Sequence, residues 1–150
     1  MEQTQQHHCL EIPIDQALFA GEIDGIVLAC HENERPLAGL AGWLDWYFHG
    51  EISACLRAGA LSGNAGECAY IPIQKNGATH HLLLVGAGRS DQPGHRKLLP
   101  IESLRKLKKN LTSLFLEQSK KIGVSRADLG NASDEFFAKN MKEVSLWIAP

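Results

Sequence analysis

The chain has 150 residues, enough for one domain with a real hydrophobic core. Apolar residues make up 44% and the formal net charge is −2, which argues against a global attraction to nucleic acid or anionic membrane. No apolar run approaches the roughly 20 residues of a membrane-spanning helix, and the opening MEQTQQHHCLEI lacks the basic and apolar regions of a signal peptide, so a cytoplasmic location is expected.

Residues 1–7 are polar and read as a frayed terminus. His8 to Ile14 alternates, with Leu10, Ile12 and Ile14 on one face, and reads as a first strand. Asp15 to Gly21 reads as a turn or a single helical turn. Ile23 to Cys30 reads as a second strand, and its continuous apolar run Ile26-Val27-Leu28-Ala29 suits the centre of a sheet. A polar loop from His31 follows, closed by Pro36. Leu37 to Gly59 is helical in composition, with Leu40, Leu44, Tyr47, Phe48, Ile52, Cys55 and Leu56 near one face. Gly39, Gly42 and Gly50 weaken it, predicting a loop or short helix and then a firmer helix to about Arg57. Trp43 and Trp46 have two readings: core packing, the ordinary role, and an exposed aromatic patch at an interface.

A glycine-rich connection, Gly59 to Gly66, leads into the stretch around which the chain is organised. Ala69–Ile73 and His81–Val85 read as two strands. They are joined through Gln74-Lys75-Asn76-Gly77, where Asn76 and Gly77 tolerate positive φ and predict a hairpin. The second strand is almost wholly apolar and ends in Gly86-Ala87-Gly88. After a loop from Arg89 to Leu99, Pro100 opens a long helix to about Ile122. Its apolar stripe is Leu104, Leu107, Leu111, Leu114 and Ile122; Arg105, Lys106, Lys109 and Lys120 lie opposite, and Gly123 is the expected C-cap. Val124 to Gly130 holds a short strand at most, Ser133 caps a short helix with Phe136 and Phe137, and Val144–Ile148 is the last strand. This alternation predicts one α/β layered domain with a mixed sheet.

The residues that carry chemistry are few. Gly39 and Gly42 follow a strand and precede a helix, and Gly86 and Gly88 leave a buried strand with Arg89 beside them. Either loop is a candidate for holding an anion on backbone N–H groups, although neither has the GxGxxG or Walker spacing, and a plain turn is the simpler reading. The seven histidines include no HExxH, and the four cysteines include no CxxC, so no metal site is expected and the cysteines read as reduced thiols. There is no GxSxG. Cys68 stands beside Glu67, whose carboxylate would raise a thiol pKa and oppose activation. No catalytic residue is assigned. The cations between Arg96 and Lys109, with Arg105, Lys106 and Lys109 on the helix face, read as a solvated surface that could meet nucleic acid or an acidic partner.

Several pieces together resemble a known family. These are Leu44-Asp45, Gly50-Glu51-Ile52-Ser53, Gly63-Asn64-Ala65-Gly66-Glu67 and Leu82-Leu83-Leu84-Val85-Gly86-Ala87-Gly88. Their order and spacing resemble the N-terminal domain of the leucyl (cytosol) aminopeptidases, over roughly Ile23 to Ile148. The resemblance implies a three-layer α/β/α sandwich similar to macro domains. It also implies that the two-metal peptidase chemistry belongs to a separate domain, so no enzyme activity and no cofactor are expected here. Three functions stay open: a module for protein interaction or self-association, a nucleotide or ADP-ribose-type site as in macro domains, with Gly39–Gly42 near the position of the first phosphate loop, and a DNA contact, since some aminopeptidases of this family bind DNA.

Overall fold

The computed structural model describes residues 7–9, 11–32, 37–89, 101–115, 121–125 and 146–149. Its elements, in chain order, are β1 (His7–Cys9), α1 (Ile14–Phe19), β2 (Gly25–His31), α2 (Gly39–Tyr47), α3 (Glu51–Arg57), β3 (Cys68–Lys75), β4 (Ala78–Gly88), α4 (Ile101–Phe115), β5 (Ile122–Ser125) and β6 (Leu146–Ala149). The strands form one sheet in the order β1-β6-β5-β2-β4-β3. All neighbours are parallel except β3 and β4.

Burial explains the order. Every residue of β2 is buried, as is the run from Leu82 to Ala87 in β4. Such two-sided strands belong in the middle of a sheet with helices on both faces. One core lies beneath α1, α2 and α3 and contains Ile14, Leu18, Leu44, Ile52, Leu28 and Leu84. The other lies beneath α4 and contains Leu107, Leu111, Val27, Leu83, Val85 and Val124. The molecule is therefore an α/β sandwich of three layers with a mixed sheet. A fully buried leucine such as Leu107 contributes about 1.5–3 kcal/mol through burial. Among the described residues, no helix is long and apolar enough to cross a membrane.

The hairpin forms where Asn76 and Gly77 invite it. Their φ values of 54° and 79° give the turn that matches strand twist. Lys75 pairs with Ala78 and Cys68 with Val85, so the hairpin runs without slippage. β3 is the edge of the described sheet. The Gly86 N–H donates to the Glu67 carbonyl, which makes 67, 69, 71 and 73 the residues that bond inward. Pro72 then faces the outer edge, where its missing N–H interrupts any further strand.

Two expectations are corrected. The first strand is His7–Cys9, not His8–Ile14; Pro13 caps α1, and Ile14 opens that helix and is buried in the core. The alternation of Ile12 and Ile14 marks the approach to a helix, not a strand. Ile122 and Gly123 belong to β5, not to the end of the long helix, which is described to Phe115. Gly123 is no C-cap: a side chain there would meet the Ile23 and Ile14 δ-carbons. It is a flat place in the sheet on which α1 packs. Leu37–Gly59 divides into α2 and α3, separated at His49 and Gly50, both with positive φ. The Ser133 helix, the loop at 90–100 and residues 1–6 lie outside the described residues; His7 opens β1.

Candidate functional site

In a sheet of this kind ligands gather at the carboxyl ends of the strands, where successive connections depart in opposite directions. Here that point lies beside β2. The chain leaves β2 past β4 to the edge strand β3, and leaves β5 in the other direction, to β6. The edge is built from the end of β2, the end of β4 and the glycine-rich loop between α3 and β3.

That loop is held by Glu67. The Glu67 carboxylate accepts hydrogen bonds from the Ser62 hydroxyl, the Ser62 N–H and the Gly63 N–H. These bonds, that of the Ser62 hydroxyl foremost, hold the carboxyl below its ordinary pKa of 4.5. The loop lies directly on the strand ends. A side chain at Gly86 would run into the Asn64 carbonyl at 2.0 Å, and one at Gly63 into the Glu32 backbone nitrogen at 2.6 Å. The Gly88 N–H donates to Gly63 O at 2.8 Å. Ser103 of α4 ties the pieces together, donating its hydroxyl to the Gly86 carbonyl and accepting from the Gly66 N–H.

The register between β2 and β4 shifts at this edge: Cys30 faces Gly86, but His31 faces Gly88, leaving Ala87 as a bulge. Such bulges re-aim the chain at a strand end. The Gly88 carbonyl accepts from both the Glu32 N–H, at 3.2 Å, and the His31 Nδ1, at 3.1 Å. A carbonyl only accepts, so His31 carries its proton on Nδ1. His31 is 1% exposed. Arg89 reaches the Glu32 carboxylate at 3.8 Å with its side chain largely in solvent.

Gly86 and Gly88 therefore donate their N–H groups inside the protein, to Glu67 and Gly63. The glycines serve close packing of a loop on a strand. The same holds for Gly42, whose N–H donates to Ala38 O and whose missing side chain leaves room for the Leu37 carbonyl at 2.4 Å. Gly39 opens α2 at φ 62°, the left-handed region that glycine favours. Gly39 and Gly42 thus lie on α2, and Gly86, Gly88 and Arg89 at the end of β4. His31, Glu32 and Ser103 at this edge carry no sequence motif and escape a reading of the sequence.

A second feature is a cleft of about 410 Å³ between the glycine-rich loop and α4, lined by Ser62, Gly66, Glu67, Cys68 and Lys106 among others. Burial pushes the Cys68 thiol up to about 11, against an opposing pull from Lys106. The direction is the expected one, but the cause is burial and not the neighbouring Glu67 carboxylate. Arg105, Lys106 and Lys109 are exposed on α4. Among the described residues, no group of three His, Cys, Asp or Glu side chains could hold a metal ion.

The third feature is aromatic. Trp43 and Trp46 are not core residues: they are 45% and 70% exposed, and their rings stack at 5.1 Å. The Trp43 indole N–H donates to Asp15 of α1 at 3.0 Å. On the inner side of α2, Leu44 and Ala41 fill the core, while Tyr47 stacks on Phe19 at 3.9 Å and carries the Lys75 ammonium 3.7 Å over its ring. The helix thus has a full apolar face without its tryptophans, which leaves the pair outside.

Residues 27–146 match the family model described as the cytosol aminopeptidase family, N-terminal domain. The chain belongs to the cytosol aminopeptidase family. What it contains is that family's N-terminal domain and not its catalytic domain. A comparison with curated proteins finds no match. Among solved structures, this cytosol aminopeptidase N-terminal domain is similar to the macrodomain of Thermus aquaticus DarG, with a TM-score of 0.66 at 11% identity, covering 95% of this chain and 97% of the other. It is similar also to the macrodomain of Mycobacterium tuberculosis DarG, with a TM-score of 0.65 at 12% identity, covering 96% and 98%. A third similar structure is Thermosipho africanus DarTG in complex with ADP-ribose, with a TM-score of 0.61 at 12% identity, covering 88% of this chain and 39% of that one. At such identities the likeness is one of fold: the N-terminal domain is macrodomain-like.

Proposed function

We propose that this aminopeptidase-family N-terminal domain is a non-catalytic interaction module that acts in the cytoplasm, binding a protein partner or a second copy of itself. The observation that carries this reading is the stacked Trp43–Trp46 pair, held outside the core and set against Asp15. Two adjacent exposed indoles are an unfavourable surface in water and are enriched where proteins meet. A photo-crosslinking amino acid at position 46, compared in cells with the same group at the hairpin residue Asn76, tests it. A discrete adduct from position 46 alone supports the module; equal or absent labelling at both removes it.

A second reading is a nucleotide or ADP-ribose-type site at the carboxyl edge. It is favoured by the likeness to the DarTG structure in complex with ADP-ribose and by the position of His31 and Arg89 beside the switch point of the sheet. A ligand that binds the folded state raises apparent stability by mass action. A rise in melting temperature with millimolar ADP-ribose, lost in Arg89→Ala, supports this site, and no shift removes it.

A further inference from the structure

We propose that the partner of the tryptophan face is the basic face of α4 on a second copy of this chain. The inference rests on the interaction-module reading and names its occupant. It starts from the distribution of charge between the two helical layers. On one side of the sheet α1, α2 and α3 carry Asp15, Asp45 and Glu51 against Arg57, and the Lys75 ammonium of β3 lies over the Tyr47 ring there. On the other side α4 carries Arg105, Lys106, Lys108 and Lys109 against a single carboxylate, Glu102. Among the described helices, those on one face of the sheet therefore carry mostly carboxylates and the one on the other face mostly cations.

This polarity selects the mode of association. Two tryptophan faces related by a two-fold axis would bring one carboxylate-bearing helical face against another, where like charges repel. Sheet-to-sheet extension through β3 meets Pro72 at the outer edge. Stacking the tryptophan face of one copy on α4 of the next places cations over indole rings and opposite carboxylates. A guanidinium or ammonium over a tryptophan face is the favoured cation–π pair. The Trp43 indole is already oriented by its bond to Asp15, and the Trp46 ring is the more open of the two. Because the two faces differ and lie on opposite sides, the contact is head-to-tail, and it continues into a ring or a stack of copies instead of stopping at a symmetric dimer.

Complementary variants test it. In sedimentation, the wild-type chain should exceed its monomer mass of 16.5 kDa at low salt. It should fall towards that mass as salt rises from about 0.05 M to about 0.5 M, where screening shortens to a few ångströms. Trp46→Ala removes the aromatic face and Arg105→Glu with Lys109→Glu removes the basic face; each variant alone should be a monomer. Mixed in equal amounts they should form a dimer that grows no further, since only one intact face of each kind remains. Circular dichroism checks that each variant folds, and Trp46→Gln serves as a second substitution at the exposed ring. A wild-type chain that is monomeric at low salt, single variants that associate like the wild type, or a mixture that stays monomeric overturns the proposal. An adduct from position 46 to a different protein, with a monomeric mixture, overturns self-association while the interaction module stands.

Discussion

His80 is a titratable side chain whose surroundings oppose its charge. It is 9% exposed, its ring lies 5.5 Å from that of Phe48, and burial first, then the nearby Lys75 ammonium, lowers its pKa from the ordinary 6.5. The folded state therefore holds the neutral ring, while the unfolded chain takes up a proton near 6.5. The contribution to stability is complete above that value and is lost as pH falls below it, through the lowered folded pKa. Urea midpoints at pH 7.5 and pH 5 should show this loss, and His80→Leu should flatten the part of the slope that His80 supplies. An unchanged slope in the variant would remove His80 as its source. Single residues were the least legible part of the sequence. Gly42, Gly86 and Gly88 stand where a strand ends or a helix begins, the context of anion-holding loops though without their spacing, and glycine there allows the backbone to approach either a ligand or another segment. Only the positions of Asn64 and Leu37, distant or differently oriented along the chain, show that the close neighbour is protein.

Among the elements, α4 and the loop preceding β3 are coupled through one hydroxyl. Ser103 is fully buried, donates to the Gly86 carbonyl and accepts from the Gly66 N–H. Ser103→Ala should cost about 1–3 kcal/mol, the range for leaving buried backbone groups without a partner. Chemical denaturation measures it, and a loss below a few tenths of a kcal/mol would mean that the bonds are not needed to seat the loop. The elements with strong local signals were legible: β2 and β4 from their unbroken apolar runs, the hairpin from Asn76-Gly77, and α4 from its leucine stripe. The failures fall where a local pattern was extended by one feature too many. Ile122 falls near the helical stripe of Leu111, and nothing in the sequence before Gly123 marks the change from helix to strand. Ile14 continues the alternation of Leu10 and Ile12, yet Pro13 fixes a helix start there.

For the whole molecule, an α/β layered domain with a mixed sheet followed from the order of elements, and the three-layer sandwich from the family resemblance carried by pieces spread along the chain, because both depend on many residues at once. The exposure of Trp43 and Trp46 did not follow, since helical spacing alone leaves open which of two possible apolar faces of α2 is turned inward. The domain as a whole should have no aminopeptidase activity. Two-metal hydrolysis needs carboxylates converging on ions about 3.5–4 Å apart, and the described residues gather no such group. Leucine p-nitroanilide with excess zinc or manganese should show no turnover that survives repurification; metal-dependent turnover that persists would reveal an active site in these 150 residues. The central claim is that the tryptophan face is covered when the protein acts. Hydroxyl-radical footprinting of Trp43 and Trp46, in the dilute purified chain and inside cells, tests it most directly. Both indoles should oxidise readily in the dilute chain and be protected in cells, with the exposed hairpin unchanged between the two; equal oxidation of the pair in both settings would contradict the claim.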